Sequence, residues 1–558
     1  MLPIISRLSC LAGLLLAGTA TAGGALTNAS IYTMDDEQPT ASAMAWDDSG
    51  RIVFVGSEEA LEKRFADIEP MDAGGRAVLP GLIDAHGHVM GLGLARLRAD
   101  LTGAGSVEEV LQRLQAHAEK LPEDAWLVGR GWDQTLWDGG EFPNARDLDR
   151  AFPERPVWLV RVDGHAGWAN SAAMEKVARD LSGSWQPDGG EIRRDDEGRP
   201  SGVFIDSAMR FVSAGVPEPG RAERERALQL ALDELASVGL TGVHDMGTSL
   251  DDFELFRQRE KDGGLTARIT AMADGDSDML DWLCSNGRHA GSHLAAHGVK
   301  LYADGALGSR GAALLAEYSD DAGNSGLLFH SDDELEALIG RVMGCGLQTA
   351  VHAIGDAANR QVISALGAAQ KARPDNPGRH RVEHAQVVHP DDFDRLKEYR
   401  LIASMQPVHA TSDMRWAGER LGDDRLQGAY AWQTMKEKGI PLALGSDFPV
   451  ESPNPWIGIH AAVTRQRSGQ PAGGWLPEQR LSLKQALEGF TIDAAMAGFS
   501  EHSVGSLEVG KLADFIVVDA NPFSVEPDEL QNIGVVTTVT GGRVVFERER
   551  TLNNQAAP

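Results

Sequence analysis

The sequence predicts an α/β fold: a (β/α)8 TIM barrel with a small β-sandwich domain built from both chain ends. Two observations predict it: strand-like and helical segments alternate through the middle of the chain, and β-rich segments occupy both ends. A third observation is that the stretch about 100–235 is longer than one βα unit needs, which predicts an inserted subdomain over the barrel mouth. We therefore assign 23–76 and 500–558 to the composite sandwich and 77–499 to the barrel.

The first 22 residues have the pattern of a cleavable secretory signal peptide. Met1–Arg7 carries one positive charge, Leu8–Gly18 is apolar, and Ala20-Thr-Ala22 is a small-residue cleavage site. The apolar run is shorter than the ~18 residues that a membrane helix needs, and an apolar first strand remains the alternative. We expect cleavage after Ala22, a secreted or periplasmic location, and no stable membrane insertion.

Composition narrows the class of partner. A formal net charge of −30 argues against nucleic acid or an anionic membrane surface as a partner. The 42% hydrophobic and 24% charged content is that of a globular chain, so large-scale disorder is not expected. After signal removal two cysteines remain, Cys284 and Cys345, and they are either one disulfide or two buried thiols.

Both chain ends have the character of β structure. The turn at Asp47–Gly50 between two strand-like runs is a hairpin signal. The strand-like runs are Ala29–Met34, Ala41–Trp46 and Arg51–Val55 near the start, and Asp514–Asp519, Gly534–Val539 and Arg543–Phe546 near the end. Runs of the same kind on either side of a long middle predict one small domain assembled from both ends.

The strand–helix alternation is clearest after Gly298. Units of this size imply parallel strands joined by crossover helices. The predicted strands are Val299–Ala303, Gln348–His352, His380–His384, Leu401–Pro407 and Pro441–Asp447, and the predicted helices are Ser331–Met343, Asp356–Lys371, Pro390–Tyr399 and Leu426–Lys438. Earlier in the chain, Thr241–Asp245 and the apolar run Ala77–Ile83 supply further strands of the same barrel.

Metal-binding residue types recur where barrel strands should end. His86 and His88 follow an apolar run at positions i and i+2, so in an extended strand they share a face and can bind one metal ion; a pair of surface histidines is the alternative. The other residues at predicted strand ends are Lys300, His352, His384 and Asp447. Barrel active sites lie at the carboxyl ends of the strands, so these side chains predict a site for a first-row divalent metal. His244 and His409 also follow strands and are further candidates for the mouth.

Two of these residues have specific chemistry. Burial lowers the pKa of a lysine, and the free amine of Lys300 can take up CO2 to give a carbamate that bridges two metals; pairing with Asp304 is the alternative. Asp447 would take the proton of the metal-bound water and later give it to the leaving group. For Asp447 the alternative is a helix N-cap.

Several motifs together resemble the amidohydrolase superfamily. Leu79-Pro-Gly-Leu-Ile-Asp-Ala-His-Gly-His88 is similar to its first metal motif, and Gly505–Asp519 to its return into the small β domain. Val299–Ser309, Val351–Asp356, Arg381–His384 and Leu444–Asp447 resemble the branch called amidohydrolase family 3, which includes N-substituted formamide deformylases and proteins named as exoenzyme regulators.

The resemblance implies roles for individual residues. His86 and His88 would bind the more buried metal, carboxylated Lys300 would bridge, His352 and His384 would hold the second metal, and Asp447 would be both ligand and proton shuttle. The resemblance also places a larger set near the substrate, with packing of the subdomain as the alternative: Arg130, Trp132, Asp133, Asp163, His165, Asn170 and Gln406. Asp304 and Arg310, in the loop after Lys300, are further pocket candidates.

The leading functional hypothesis is a hydrolase that cleaves an amide-type, non-peptide C–N bond of a small molecule through a metal-bound hydroxide. The expected cofactors are two zinc ions, although iron, manganese or cobalt would suit the same ligands. Two alternatives remain: a non-catalytic binding or regulatory protein, and the same metal site acting on esters or lactones or in isomerisation. A homodimer is compatible with the sequence.

Overall fold

The computed structural model describes residues 23–549, except 163, 165, 188, 189 and 377. The predicted signal peptide lies outside the described residues. Three sheets organise the described part of the chain, and the central one is a barrel of parallel strands. Its strands, in chain order, are Leu82–Gly87, Leu240–Thr248, Arg268–Asp274, Leu294–Tyr302, Gln348–Ala353, Arg381–His384, Ile402–Met405 and Leu442–Leu444.

The barrel strands pair in sequence order, and the first and last strands approach each other to nearly close the ring. A parallel bridge joins Gly87 to Phe448, just past the last strand. Gly87 permits this approach, because a Cβ there would lie 2.4 Å from the Phe448 ring. The predicted (β/α)8 barrel is therefore confirmed at the level of its strand order.

Helices surround the barrel, and one of them, Pro407–Asp413, lies over its mouth and carries His409. They are Val89–Arg96, Arg221–Ser237, Leu250–Lys261, Asp278–Asn286, Asp332–Gly344, Asp356–Ala372, Phe393–Glu398, Pro407–Asp413, Ala417–Leu421, Trp432–Lys438, Pro455–Thr464, Leu483–Gly489 and Ile492–Ala497. Short 3-10 turns lie at Pro390–Asp392, Asp423–Gly428, Pro477–Gln479 and Pro527–Asn532. The helix predicted from Leu426 begins only at Trp432, because Tyr430 has a φ of 49°, which a helix cannot accommodate.

Strands from both chain ends form one sheet, which packs at the amino-terminal side of the barrel. In sheet order its strands are Arg543–Glu547, Val535–Thr540, Phe515–Val518, Met71–Pro80, Gly24–Tyr32, Ala43–Trp46 and Ile52–Gly56, with Thr40–Ala41 paired to Gly24–Tyr32. Helix Glu58–Arg64 joins this unit. The two ends thus meet in one sheet, and the sandwich arrangement itself stays a prediction. The expected barrel strand Ala77–Ile83 is wrong in its bounds: Ala77–Pro80 belongs to this terminal sheet, where it pairs with Phe515–Val518, and the barrel strand begins at Leu82.

The segment between the first two barrel strands builds a separate sheet with its own core. Its strands are Ala99–Asp100, Leu127–Trp132, Val157–Arg161, Ala166–Ala169, Gly190–Arg194 and Pro200–Asp206. Its helices are Val107–Ala118, Ala145–Asp149, Ser171–Met174 and Met209–Ser213, with a 3-10 turn at Gln134–Leu136. Trp132, Trp137 and Trp168 pack together at its centre.

A disulfide joins Cys284 to Cys345, which resolves the two alternatives left by the sequence. It links the end of helix Asp278–Asn286 to the residue after helix Asp332–Gly344, with Cα atoms 4.9 Å apart. Within the described residues, no helix is long and apolar enough to cross a membrane.

Candidate metal centre

The first group of candidate ligands forms where the first barrel strand ends. His86 and His88 present Nε2 atoms 3.5 and 3.1 Å from Oδ1 of Asp447, which follows the last strand. Asp447 has a φ of 61°, an uncommon conformation for a residue with a side chain. The two imidazoles and the carboxylate therefore converge across the seam of the barrel, as the sequence pattern predicts.

A second group of candidate ligands shares Asp447. One ligand atom each from His384, His409 and Asp447 lie within 4.8 Å of one another. Oδ2 of Asp447 is 3.8 Å from Nε2 of His409, whereas Oδ1 faces His86 and His88. Since its two oxygens face different histidines, Asp447 belongs to both groups of candidate ligands.

His352 lies beside this second group. Its ring centroid is 4.5 Å from that of His384, and its Nε2 is 3.5 Å from Oδ1 of Asp304. Burial, and then the Lys300 ammonium, lower the pKa of His352 to about 3, so its imidazole is neutral at pH 7 and able to bind a metal. His409, predicted only as a further candidate for the mouth, is one of the three residues of the second group.

Lys300 is buried within the ring of histidines. Its Nζ is 3.5 Å from Nε2 of His86 and lies 5.1 Å from the centre of the Tyr302 ring. Burial lowers the pKa of Lys300 to about 8, which increases the fraction of free amine at neutral pH. Among the described ion pairs, Asp304 is not paired with Lys300; its carboxylate accepts backbone N–H groups instead.

Those contacts give Asp304 a structural role. It accepts hydrogen bonds from the backbone nitrogens of Ala313, Ile354 and Gly355, at 2.8 to 2.9 Å. Burial raises the pKa of this carboxyl to about 7, against the opposing effect of the three N–H groups. Asp304 thus holds the loop after Lys300 against the end of the neighbouring strand.

A fully buried ion pair supports His86 from below. Glu383 Oε2 lies 2.6 Å from Nδ1 of His86, and Arg381 donates to both Glu383 oxygens at 2.7 and 3.0 Å. Burial alone would raise the pKa of Glu383, but the Arg381 charge and the His86 contact hold it well below its usual range. A carboxylate on the far nitrogen orients the ring and leaves Nε2 for the metal.

Three more groups orient the candidate ligands: the Met246 carbonyl, the Gln406 amide and the Asp84 carboxyl. Nδ1 of His88 lies 2.8 Å from the Met246 carbonyl oxygen, and Nδ1 of His384 lies 2.8 Å from Oε1 of Gln406. Asp84 accepts from the His86 backbone N–H and from the Ser446 hydroxyl, which ties the first strand to the segment after the last. Burial raises the pKa of Asp84 to about 7. Through its contact with Nδ1, Gln406 orients the His384 ring, and its predicted substrate contact stays a prediction.

Sequence reasoning did not single out Arg381, Glu383, Asp84 or Ser446 as positioning residues. A signal was present: Arg381 and Glu383 alternate along one strand, so they share a face of a barrel that is otherwise apolar. Ionisable groups on such a face must be paired. The sequence does not show which distant residue pairs with them, because Glu383 and His86 are 297 residues apart.

The predicted substrate residues of the inserted subdomain have mainly internal contacts. The Trp132 ring is fully buried and its Nε1 donates to the Leu159 carbonyl. Asn170 is fully buried, caps a helix and donates to the carbonyls of Phe152 and Arg155. The polar groups of both side chains are used in hydrogen bonds within the subdomain. The alternative given above, packing of the subdomain, therefore fits their contacts better than a substrate role.

The remaining predicted substrate residues are scattered. Asp133 caps the 3-10 turn through the Thr135 backbone N–H, and Arg310 pairs with Asp320 at 2.9 Å. Arg130 is exposed. Asp163 and His165 lie outside the described residues. The structure thus brings together the predicted ligands, whereas the described members of this second set have the separate contacts given above, and their substrate roles stay predictions.

The residues present fit a divalent metal. Nε2 atoms of His352 and His409 are buried and have no hydrogen-bond partner among the described residues, a costly arrangement that a bound cation would relieve. Five imidazoles with a carboxylate form a donor set typical of zinc, iron, manganese or cobalt. Such a site at the carboxyl ends of barrel strands defines a metal-dependent hydrolase.

The chain belongs to the amidohydrolase family, whose profile matches residues 69–546. It is 34% identical to Protein LONG AFTER FAR-RED 3 of Arabidopsis thaliana, over 93% of this chain and 91% of that one. It is 27% identical to N-substituted formamide deformylase of Arthrobacter pascens, over 94% and 98%. The fold resembles an uncharacterised metal-dependent hydrolase from Pyrococcus horikoshii OT3, with a TM-score of 0.76, 28% identity, and coverage of 90% of this chain and 99% of that one. The family resemblance is thereby confirmed.

Proposed function

We propose that this hydrolase cleaves an amide-type, non-peptide C–N bond of a small molecule. One observation carries the proposal: four histidines and one carboxylate converge at the mouth of the barrel, namely His86, His88, His384, His409 and Asp447. Nε2 of His409 is buried there and has no hydrogen-bond partner among the described residues. The similarity to a formamide deformylase over nearly the whole of both chains supports the bond type.

The metal, when bound, would supply an activated water near neutral pH and polarise the scissile carbonyl. Asp447 would accept the proton at the oxygen that faces the reacting water and return it to the leaving nitrogen. Burial opposes its ionisation, but His86 and His88 hold the pKa of Asp447 well below its usual range, so it starts as the carboxylate. Glu383 keeps the His86 ring fixed while the proton moves.

We further propose that Lys300 is carboxylated and bridges two metal ions, zinc by default. Its amine is buried against His86, has a lowered pKa, and is not used by Asp304. Uptake of CO2 forms an N–C bond and releases one proton, which gives an anionic oxygen ligand in place of an amine. Metal content tests this: about two ions per chain are expected, and a single tightly held ion would contradict the bridge.

The test of the reaction uses the mature, metal-loaded protein and a series of N-substituted formamides, with the matching formate esters for comparison. His86→Ala and Asp447→Asn should each lower kcat at least about a hundredfold. His502→Ala is the matched control, because that imidazole is 92% exposed. Turnover of the esters alone would assign the site to another reaction, and near-wild-type kcat in either variant would refute the proposed roles.

We also propose a location outside the cytoplasm. The Cys284–Cys345 disulfide supports it, since such bonds persist mainly in oxidising compartments. Thiol labelling of the protein recovered from its native source, with and without reduction, tests this. Labelling of both cysteines without reductant would contradict the proposal.

A further inference from the structure

A second cavity lies at the opposite end of the barrel from the candidate metal ligands. It has a volume of about 820 Å³ and is bounded by the first residues of four barrel strands and by loops of the terminal sheet. Ile83, Val243, Arg268 and Leu294 represent the four strands. His86, His88, Lys300, His352, His384, His409 and Asp447 do not line it. His244, which we expected as a further candidate for the mouth, does line it, and its Nδ1 lies 2.8 Å from Nη1 of Arg381. The size of the cavity is within the range of small-molecule pockets.

The lining is basic in a strongly acidic chain. It contains four arginines and two aspartates, whereas the whole chain has a net charge of −30. Arg268 is paired with Asp514 at 2.6 Å. Arg51 and Arg288 donate to backbone carbonyls, which leaves their charges without a carboxylate in those contacts. The excess positive charge favours an anion in this cavity.

Two histidines of the lining have unused nitrogens. Nε2 of His293 and Nε2 of His297 are buried and have no hydrogen-bond partner within the described part of the chain, and the His297 residue is only 6% exposed. Burial first, and then Arg268 for His293 and Arg288 for His297, lower the pKa values to about 4 and about 3. Both rings are therefore neutral at pH 7 and can donate one N–H to a ligand oxygen.

One part of the wall is apolar. The Phe499 ring stands edge-on to His297 with centroids 5.0 Å apart, and Val504 and Leu512 lie beside it. Gly498 keeps this wall open, because a Cβ there would lie 2.5 Å from Nε2 of His244. A ligand that matches the arginines, the two imidazoles and this apolar part has an acidic head group and an apolar body.

We propose that this cavity binds a small organic anion, with its carboxylate or phosphate group toward the arginines and the two imidazoles and its apolar body against Phe499. The site is separate from the metal centre and does not depend on the proposed reaction. It would hold a ligand that regulates or stabilises the enzyme.

The test is calorimetric titration of the full, metal-loaded protein with phenylphosphonate, and with benzyl alcohol as the uncharged probe. We expect saturable binding of one phenylphosphonate per chain and none of benzyl alcohol. Arg543→Gln and His297→Leu should each weaken binding at least about tenfold, the worth of one charge-assisted hydrogen bond. Arg64→Gln, an exposed arginine outside the cavity, should leave the Kd unchanged.

Two controls separate this site from the metal centre and from misfolding. His86→Ala damages the metal centre and should bind phenylphosphonate as the wild type does. Arg543 is exposed, so its replacement should leave folding intact even where His297→Leu does not. Loss of binding in His86→Ala with retention in Arg543→Gln would place the anion on the metal and overturn the proposal. Absence of saturable binding would do the same.

Discussion

Replacing Arg381 by methionine would leave the Glu383 carboxylate buried without its counter-ion. The guanidinium is fully buried and donates to Glu383, to the Ala85 carbonyl and to the Ser404 hydroxyl, at 2.6 to 3.0 Å. Breaking a buried pair from one side costs about 3–5 kcal/mol, because the remaining charge loses its partner while staying out of water. We therefore expect Arg381→Met to lower the free energy of unfolding by about that amount.

A second variant, at Glu383, shows whether its unpaired charge causes the loss of stability. Glu383→Gln in the same chain removes the uncompensated carboxylate, so the double variant Arg381→Met/Glu383→Gln should recover about half of the lost free energy or more. The assay is urea unfolding followed by tryptophan fluorescence, with chelator present so that metal binding does not contribute. Unchanged stability of the single variant, or a double variant no more stable than the single one, would refute the reasoning.

Four further outcomes are expected. Glu383→Gln should weaken metal binding about 10–100-fold in a chelator competition, since it removes the carboxylate that orients His86. Trp132→Ala should cost about 3–5 kcal/mol in urea unfolding, because the ring is in the subdomain core, and a smaller loss with a raised KM would restore its substrate role. Cys284→Ser should lower stability by about 4 kcal/mol under oxidising conditions, as expected for a bond that closes 61 residues, and by little in reductant. Folding lowers the pKa of His297, so the stability that depends on its neutral form is present above pH 6.5 and is lost as pH falls toward about 3. His297→Leu removes this titration and should therefore reduce the fall in melting temperature between pH 6.5 and 4. A fall as large as that of the wild type would contradict the assignment.

Local patterns were enough to predict the barrel and most of the candidate metal ligands at its mouth. Apolar strands followed by helices repeat along the chain, and a side chain at the carboxyl end of such a strand points into the mouth. His86, His384 and Asp447 could be predicted in this way from their own neighbours in the sequence. The helix predicted from Leu426 begins at Trp432 for an equally local reason: Tyr430 has a left-handed backbone conformation, which its residue type does not indicate.

Contacts between distant segments could not be predicted. His409 joins the candidate ligands because a helix turns back over the mouth, and Glu383 reaches His86 across the barrel interior. A tryptophan in an apolar strand has the same pattern whether it lines a pocket or a core, so the sequence alone does not separate these two positions for Trp132. The contacts of its ring with Trp137 and with the Leu159 carbonyl place it in the subdomain core.

The sequence by itself thus determined the fold class, the acidic surface charge and the residues that face the barrel mouth, because each depends on spacing within one strand or helix. Only the tertiary structure decided which of those residues lie together as candidate metal ligands, which carboxylates contact them, and that a basic cavity lies at the other end of the barrel. These depend on side chains hundreds of positions apart, whose packing and pairing are set by how the strands close into a ring.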